Sequence, residues 1–288
     1  MILILGIANF KNGYGIKKKK ISLKNIKDIF LQIKKEKQIK FVDTAPSYYQ
    51  DSKNYLIQLK NFKIFSKLKK IPSEIGNNFK KLENFVMEEI NLDLKRLKVR
   101  NFEGYYVHDI DDVLKYGKNL FKIFKELKKM QLINKIGLSF YNLDTEIKVL
   151  KKFKPDIVQL PFNLLCANQE YKSQIKILRK KNISIFARSI YLQGIILNKW
   201  QEVPKKFPNI RANIKLLETK FGYYSKSKKI ELTINEIKKN KFFDGIIFSV
   251  DSREDLDEFL KLYKKRKKNL MTPVFNKIRQ KELDPREW

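Results

Sequence analysis

Eight short apolar runs, each followed by a longer amphipathic segment, recur along this chain, and few folds accept that alternation. The runs span residues 2–8, 39–43, 62–66, 102–107, 135–138, 157–160, 183–187 and 245–248. Most are apolar on successive rather than alternate positions, the pattern of parallel strands buried on both faces. Between them, apolar residues return at helical spacing: Leu82, Val86, Ile90, Leu94 and Leu97 share one face of 78–97, with acids and lysines between. Helices are expected at 23–35, 54–59, 78–97, 114–130, 143–153, 171–180 and 252–263, with a longer, less regular stretch at 200–240. Right-handed β-α-β crossovers with short loops close naturally at eight, so the expected fold is an α/β (β/α)8 TIM barrel. The alternative, a doubly wound open sheet, lacks its G-x-G-x-x-G turn after the first strand. No linker or composition break divides the chain, which reads as a single barrel domain over residues 1–288.

Charge tempts toward a different reading. The formal net charge is +32, yet the basic residues are mostly lysines scattered over every helical segment. Runs such as 17–20 and 264–268 therefore read as solvated surface, and no specific nucleic-acid face is expected. Weak, salt-sensitive attraction to polyanions remains. The single cysteine, Cys166, leaves no internal disulfide or cysteine-based metal cluster and fits a reducing compartment. The apolar runs are too short to span a bilayer and none resembles a signal peptide, so no membrane association and a cytoplasmic location are expected.

Barrels of this kind carry their chemistry where strands end. In the stretch FVDTAPSYY, residues 41–49, Pro46 cannot continue a strand and restricts Ala45 before it, so Asp43 falls at the strand's end and Tyr48 in the loop beyond. Lys67 follows the third run. His108, the only histidine in the chain, follows the fourth. Taken singly, Tyr48 is one tyrosine among 13 and Lys67 one of many lysines; converging from the ends of the second, third and fourth strands, the four are candidates for proton transfer.

The stretches LGIANFKNGYGI, DTAPSYY, IFSK, YYVHD, IGLS, QLPFN, RSIYLQGIIL and IIFSVDSREDLDEF run in this order over nearly the whole chain. With them the sequence resembles the aldo-keto reductases. The resemblance implies an NADP-dependent oxidoreductase that reduces an aldehyde or ketone to an alcohol, with NADPH ahead of NADH and no metal. Tyr48 would be the proton donor, assisted by Lys67, Asp43 and His108. A free phenol has a pKa near ~10, and a nearby ammonium such as Lys67 stabilises its phenolate. Ser139 and Gln159 would hold the nicotinamide carboxamide, Arg188 and Ser189 would lie beside the nicotinamide and pyrophosphate, and Ser249, Ser252 and Arg253 would hold the adenosine phosphate.

Several positions depart from the family's habit. Phe140 stands for an asparagine, Arg188 for an aromatic whose stacking a planar guanidinium can replace, Ser249 for a glycine, and Tyr49 for another glycine. The tail after Pro273 is short and is expected to contribute no substrate-closing loop. A mouth lined by Tyr14, Tyr49, Tyr141, Phe162 and Tyr191 would suit a polar, bulky carbonyl such as a sugar. Two further readings stand beside this one: a cofactor-binding barrel with little turnover that acts as a binding or redox-sensing partner, and a basic polyanion-binding protein. No self-complementary apolar stripe separates from the core helices, so the sequence assigns no oligomeric state.

Overall fold

Eight parallel strands pair in sequence order and close into a barrel, β8 returning to β1. They are Ile2–Gly6 (β1), Phe41–Asp43 (β2), Lys63–Leu68 (β3), Gly104–Val107 (β4), Ile136–Ser139 (β5), Ile157–Pro161 (β6), Ser184–Arg188 (β7) and Gly245–Phe248 (β8). The computed structural model describes every residue except 12, 17–19, 49–52, 142–146, 167–168, 266–269, 271–272 and 277. Helices Leu23–Lys35 (α1), Lys53–Leu56 (α2), Phe79–Leu97 (α3), Ile110–Lys129 (α4), Gln169–Lys180 (α5), Pro208–Phe221 (α6), Lys226–Lys239 (α7), Arg253–Lys264 (α8) and Gln280–Leu283 (α9) follow. Among the described residues no helix is long and apolar enough to cross a membrane.

Local chemistry explains where these helices begin and end. Ser22, Asn78, Asp109, Ser225 and Ser252 each accept a backbone N–H at the start of a helix. The cap at Asp109 starts α4 at Ile110, one turn earlier than the apolar pattern suggests, with Asp111 and Asp112 complementing the helix dipole. The irregular stretch at 200–240 resolves into two helices because Gly222, at φ 68°, ends α6 in the left-handed conformation and Ser225 caps α7. The helix expected at 143–153 falls partly outside the described residues. Its described part is a 3-10 segment, Ile147–Lys151, with Pro155 just beyond, and residues 142–146 lie outside the described residues.

Side chains fill the barrel in a layer. Ile4, Phe65, Tyr106, Ile157, Phe186 and Ile247 form a buried interior cluster, with Ile2 and Phe41 packed against it. Phe65 meets Phe186 edge-on at 5.4 Å and Tyr106 at 6.1 Å. The Tyr106 ring occupies the space where β5 would otherwise place a side chain: a Cβ on Gly137 would lie 2.3 Å from Tyr106 Cδ1. Outside the strands, Ile26, Ile29, Phe30, Ile33, Val86 and Ile90 belong to the shell under the helices.

A smaller cluster, including Leu192, Ile196, Phe207, Ile210, Ile214 and Leu217, is built from the β7–β8 crossover and joined by Trp288. Beneath it lies a buried ion pair, Lys229 with Glu218, their side chains 0% and 3% exposed.

Candidate active site

The period of a strand sets the site. Successive side chains point to opposite faces, so the residue two after an interior one also points into the barrel, one layer higher. From the interior positions Phe41, Phe65, Tyr106, Gly137, Ile157, Phe186 and Ile247, two steps toward the C-terminal end give Asp43, Lys67, His108, Ser139, Gln159, Arg188 and Ser249. These polar residues line one cavity of about 650 Å³, which Tyr48 and Ser189 also line. Lys67 therefore belongs to β3 itself, which runs on to Leu68, and not to a position beyond the strand.

At the cavity floor the Lys67 ammonium donates to Asp43 Oδ2 at 2.7 Å and to the Thr44 carbonyl at 2.8 Å. The two side chains are 3% and 8% exposed. Asp43 Oδ1 accepts from Gln159 Nε2, so the buried carboxylate is satisfied at both oxygens, as a buried charge requires. The Lys67 nitrogen also lies 5.3 Å from the centre of the Tyr48 ring.

Burial dominates the electrostatics. It lowers Lys67 from the ordinary lysine value while Asp43 pulls it back up. It pushes the Tyr48 phenol well above the ordinary tyrosine value, with Asp43 adding to the rise and Arg188 opposing it. The expected lowering of Tyr48 by Lys67 does not hold in the resting site. Burial and the Asp43 carboxylate that binds the Lys67 ammonium raise the phenol instead. His108 is brought down to about 3, first by burial and then by the charges of Lys67 and Arg188. Tyr14, on the first loop, is raised to about 12 by burial, again with Arg188 opposing.

Arg188 finds its stacking partner within the protein. Its guanidinium carbon lies 4.1 Å from the centre of the Tyr141 ring. Nη2 donates to the Phe140 carbonyl at 2.9 Å and Nη1 to Ser189 Oγ at 3.1 Å. The Phe140 side chain is buried in the core, so the backbone is what it offers Arg188. The Tyr141 hydroxyl in turn meets His108 Nε2 at 3.3 Å. Of the expected mouth residues, Tyr14, Tyr141 and Tyr191 line the cavity, Phe162 is fully buried in the core, and Tyr49 lies outside the described residues.

Ser139 Oγ and Gln159 Oε1 are among the buried polar atoms that have no hydrogen-bond partner. Beside them the loop after β7 is strained. Ser189, Leu192 and Gln193 take left-handed φ values of 53°, 47° and 51° before Gly194 at 90°, a clustering found where a loop is held for function.

Toward α8 the expected phosphate residues divide. Ser249 lines the cavity and donates to the Gly6 carbonyl at 2.9 Å. Gly6 makes room for it, since a Cβ there would sit 3.2 Å from that hydroxyl. Ser252 instead caps α8, accepting from Asp255 N at 3.2 Å, and Arg253 pairs with Asp257 at 3.6 Å. Neither lines the cavity, whose residues here are Asp251, Asp255 and Lys226. Lys226 is bound to Asp255.

Sequence reasoning passed over several lining residues. Asn9 ties the first loop to the last, its Nδ2 donating to the Val250 carbonyl at 2.8 Å and to Asp251 Oδ1 at 3.0 Å. Its signal was present, a polar residue directly after an apolar strand. Pro285 and Arg286, from the short tail expected to contribute no substrate-closing loop, also line the cavity. Nothing periodic marks them, although a terminal tryptophan in a charged tail hints at docking.

Comparison with solved structures agrees with this architecture. The chain is similar to the holo form of aldo-keto reductase AKR11C1 from Bacillus halodurans, at TM-score 0.67 and 15% identity, covering 92% of this chain and 87% of that one. It is similar to the glycerol dehydrogenase AKR11B4 from Gluconobacter oxydans, at TM-score 0.63 and 14% identity, covering 93% and 87%. The Bombyx mori aldo-keto reductase AKR2E4, solved in complex with NADP, gives TM-score 0.61 and 15% identity, covering 92% and 84%. At such identities these likenesses speak for the fold. No curated protein matches the chain. The sequence profile of the Aldo/keto reductase family, however, matches residues 2–271, every strand of the barrel and every polar residue of its upper layer included. This chain belongs to the aldo/keto reductase family.

Proposed function

We propose that the chain reduces an aldehyde or ketone to an alcohol, using a nicotinamide dinucleotide, with Tyr48 as proton donor. One observation carries the reading: Tyr48, the buried Asp43–Lys67 pair and a neutral His108 face one cavity. The floor also fits a carboxamide. Ser139 Oγ offers an O–H and Gln159 Oε1 an acceptor, both buried and unmatched, which is the donor–acceptor pair that an amide group satisfies. A bound nicotinamide supplies a hydride to the carbonyl carbon.

The protein's own part follows from charge. Neutral His108 donates one hydrogen bond to the carbonyl oxygen and fixes its approach. Tyr48, held protonated by burial, gives its proton to that oxygen as negative charge develops there. The phenolate left behind draws on Lys67, which Asp43 keeps in place, until the phenol is restored from solvent. NADPH is preferred over NADH in this reading because Lys226 lines the cavity near α8, although Asp251 and Asp255 oppose a further phosphate there.

The test is Tyr48→Phe. Turnover of an aldehyde panel should fall by at least about 100-fold, the scale of a lost general acid, while NADPH titrated against intrinsic fluorescence binds as in the wild type and more tightly than NADH. A wild-type protein that binds NADPH yet reduces no carbonyl would replace this reading with that of a cofactor-binding barrel.

A further inference from the structure

Cations crowd the upper layer of the barrel, and they are matched unequally. Lys67 pairs with Asp43 at 2.7 Å. Asp284 grips Arg286, accepting from Nε at 3.0 Å and from Nη2 at 2.5 Å. Arg188 instead donates to two neutral groups, the Phe140 carbonyl at 2.9 Å and Ser189 Oγ at 3.1 Å, and its buried Nε has no hydrogen-bond partner. Asp284, occupied by Arg286, feels the field of Arg188, but no carboxylate among the described residues forms an ion pair with it. The Arg188 guanidinium is therefore a positive charge that nothing in contact with it cancels.

This charge is also fixed in place. The Tyr141 ring covers its guanidinium carbon at 4.1 Å, and the chain turns directly after it, Ser189 taking φ 53°. Phe140, whose carbonyl holds Nη2, directly follows Ser139. Strand β7 pairs with β6 so that Arg188 stands opposite Pro161, two residues past Gln159. The place where an amide satisfies Ser139 Oγ and Gln159 Oε1 therefore adjoins the fixed cation. Its field reaches the groups around that place, since Tyr14, Tyr48, Lys67 and His108 each feel Arg188.

We propose that Arg188 makes the site select the reduced over the oxidised nicotinamide: a neutral dihydronicotinamide ring is accepted beside the guanidinium, whereas the positively charged pyridinium ring of the oxidised form is repelled. The inference rests on the reductase reading and names the residue that sets which redox form stays bound. Hydride transfer moves two electrons and a hydrogen from the ring to the carbonyl carbon while Tyr48 gives its proton to the oxygen. The ring thus arrives neutral and leaves as a cation, and Arg188 favours its release. Like charges a few ångströms apart in a partly buried site repel strongly enough to change an equilibrium at least about 10-fold, even after partial screening.

Calorimetric titration of NADP+ and of NADPH into wild type, Arg188→Gln, Arg188→Lys and Lys226→Gln, at one fixed salt concentration, tests this. The quantity read is Kd for NADP+ over Kd for NADPH. The two forms share their adenosine and pyrophosphate parts, so a variant that merely loosens the pocket weakens both and leaves the ratio alone. The net charge of +32 also favours the more anionic reduced form, but one substitution hardly changes that background. Wild type should bind NADPH more tightly, Arg188→Gln should lower the ratio about 10-fold, and Arg188→Lys should keep most of it. Lys226→Gln should weaken both forms at an unchanged ratio. Arg188→Met, uncharged and of similar length, replaces the glutamine variant if that one does not fold, with the same fall expected. A ratio in the uncharged variant equal to that of wild type overturns the inference even if carbonyls are reduced, as does an Arg188→Lys ratio as low as that of Arg188→Gln. An Arg188-dependent ratio in a protein that reduces no carbonyl keeps the inference and overturns the reductase reading. Binding of neither form overturns both.

Discussion

Around His108, burial and nearby cations leave an imidazole that titrates at about 3, so it stays neutral through the physiological range. Tyr48 is displaced the other way, its phenol raised well above the usual value. Tyr48, the proposed proton donor, and the His108 imidazole thus keep one protonation state each between about pH 5 and about pH 9, and the proposed reduction should proceed at nearly constant kcat across that interval. A pH–rate profile under saturating substrate checks this; a midpoint near neutrality would show that another group carries the proton. Asp112 titrates closer to neutrality. It is buried at the start of α4, accepts from Ile71 N at 3.1 Å, and is raised from 3.8 to about 6, chiefly by burial. A carboxyl raised in the folded state binds its proton more tightly there than when unfolded. It therefore favours folding below the unfolded value and opposes it as pH rises through about 6. Asp112→Asn keeps an acceptor for Ile71 and removes the buried charge, so it should stabilise the protein at pH ~8 by about 1–3 kcal/mol and by nearly nothing at pH ~3.5. Chemical denaturation at both pH values measures the difference.

Seven of the eight strands lead to a polar residue two positions after an interior one, and the lower layer supports the upper. Gly137 shows how closely. Its missing side chain is the space taken by Tyr106, whose ring would meet a Cβ at 2.3 Å, and Tyr106 lies two residues before His108. Gly137→Ala must displace that ring or spread β4 from β5, at about 2–4 kcal/mol by the measure of overpacked cores. A lower Tm together with a raised KM for the carbonyl substrate is expected, because the disturbance reaches His108. This two-residue spacing is why so much of the fold and site was legible in the sequence. Apolar runs ending in Asp43, Lys67, His108, Ser139 and Gln159 announce both the strand and what it delivers. Less legible was whatever depends on contacts between distant segments. The glycine stop at Gly222 and the cap at Ser225 are local signals, and they divide a stretch that reads as irregular from apolar spacing alone. The role of Arg188 was anticipated as stacking, but its partner, Tyr141, lies two strands away in the barrel. Arg286 has no local signal at all, since its place at the mouth depends on Glu282 capping a helix more than seventy residues earlier.

For the whole molecule the dominant property is charge, with 63 basic residues against 31 acidic ones. Many surface lysines do pair with acids, as Lys69 does with Glu89 and Lys128 with Asp156. Yet twice as many cations as anions cannot all be matched. The excess spreads over the helices around the barrel, where like charges within a screening length, ~10 Å at 0.1 M salt, repel one another. Unfolding separates these charges, so self-repulsion favours the unfolded chain. Added salt should therefore stabilise this protein. Raising KCl from about 0.05 M to about 0.5 M should lift Tm by at least about 3 °C, roughly 1 kcal/mol for a chain of this size. The same salt should weaken binding of an anionic dinucleotide, because the field that destabilises the fold also attracts the ligand. Thermal unfolding and NADPH titration over one salt series test both consequences together. A Tm that falls with salt would mean that the surface ion pairs outweigh the excess, and the field at the cavity would then come from the residues lining it.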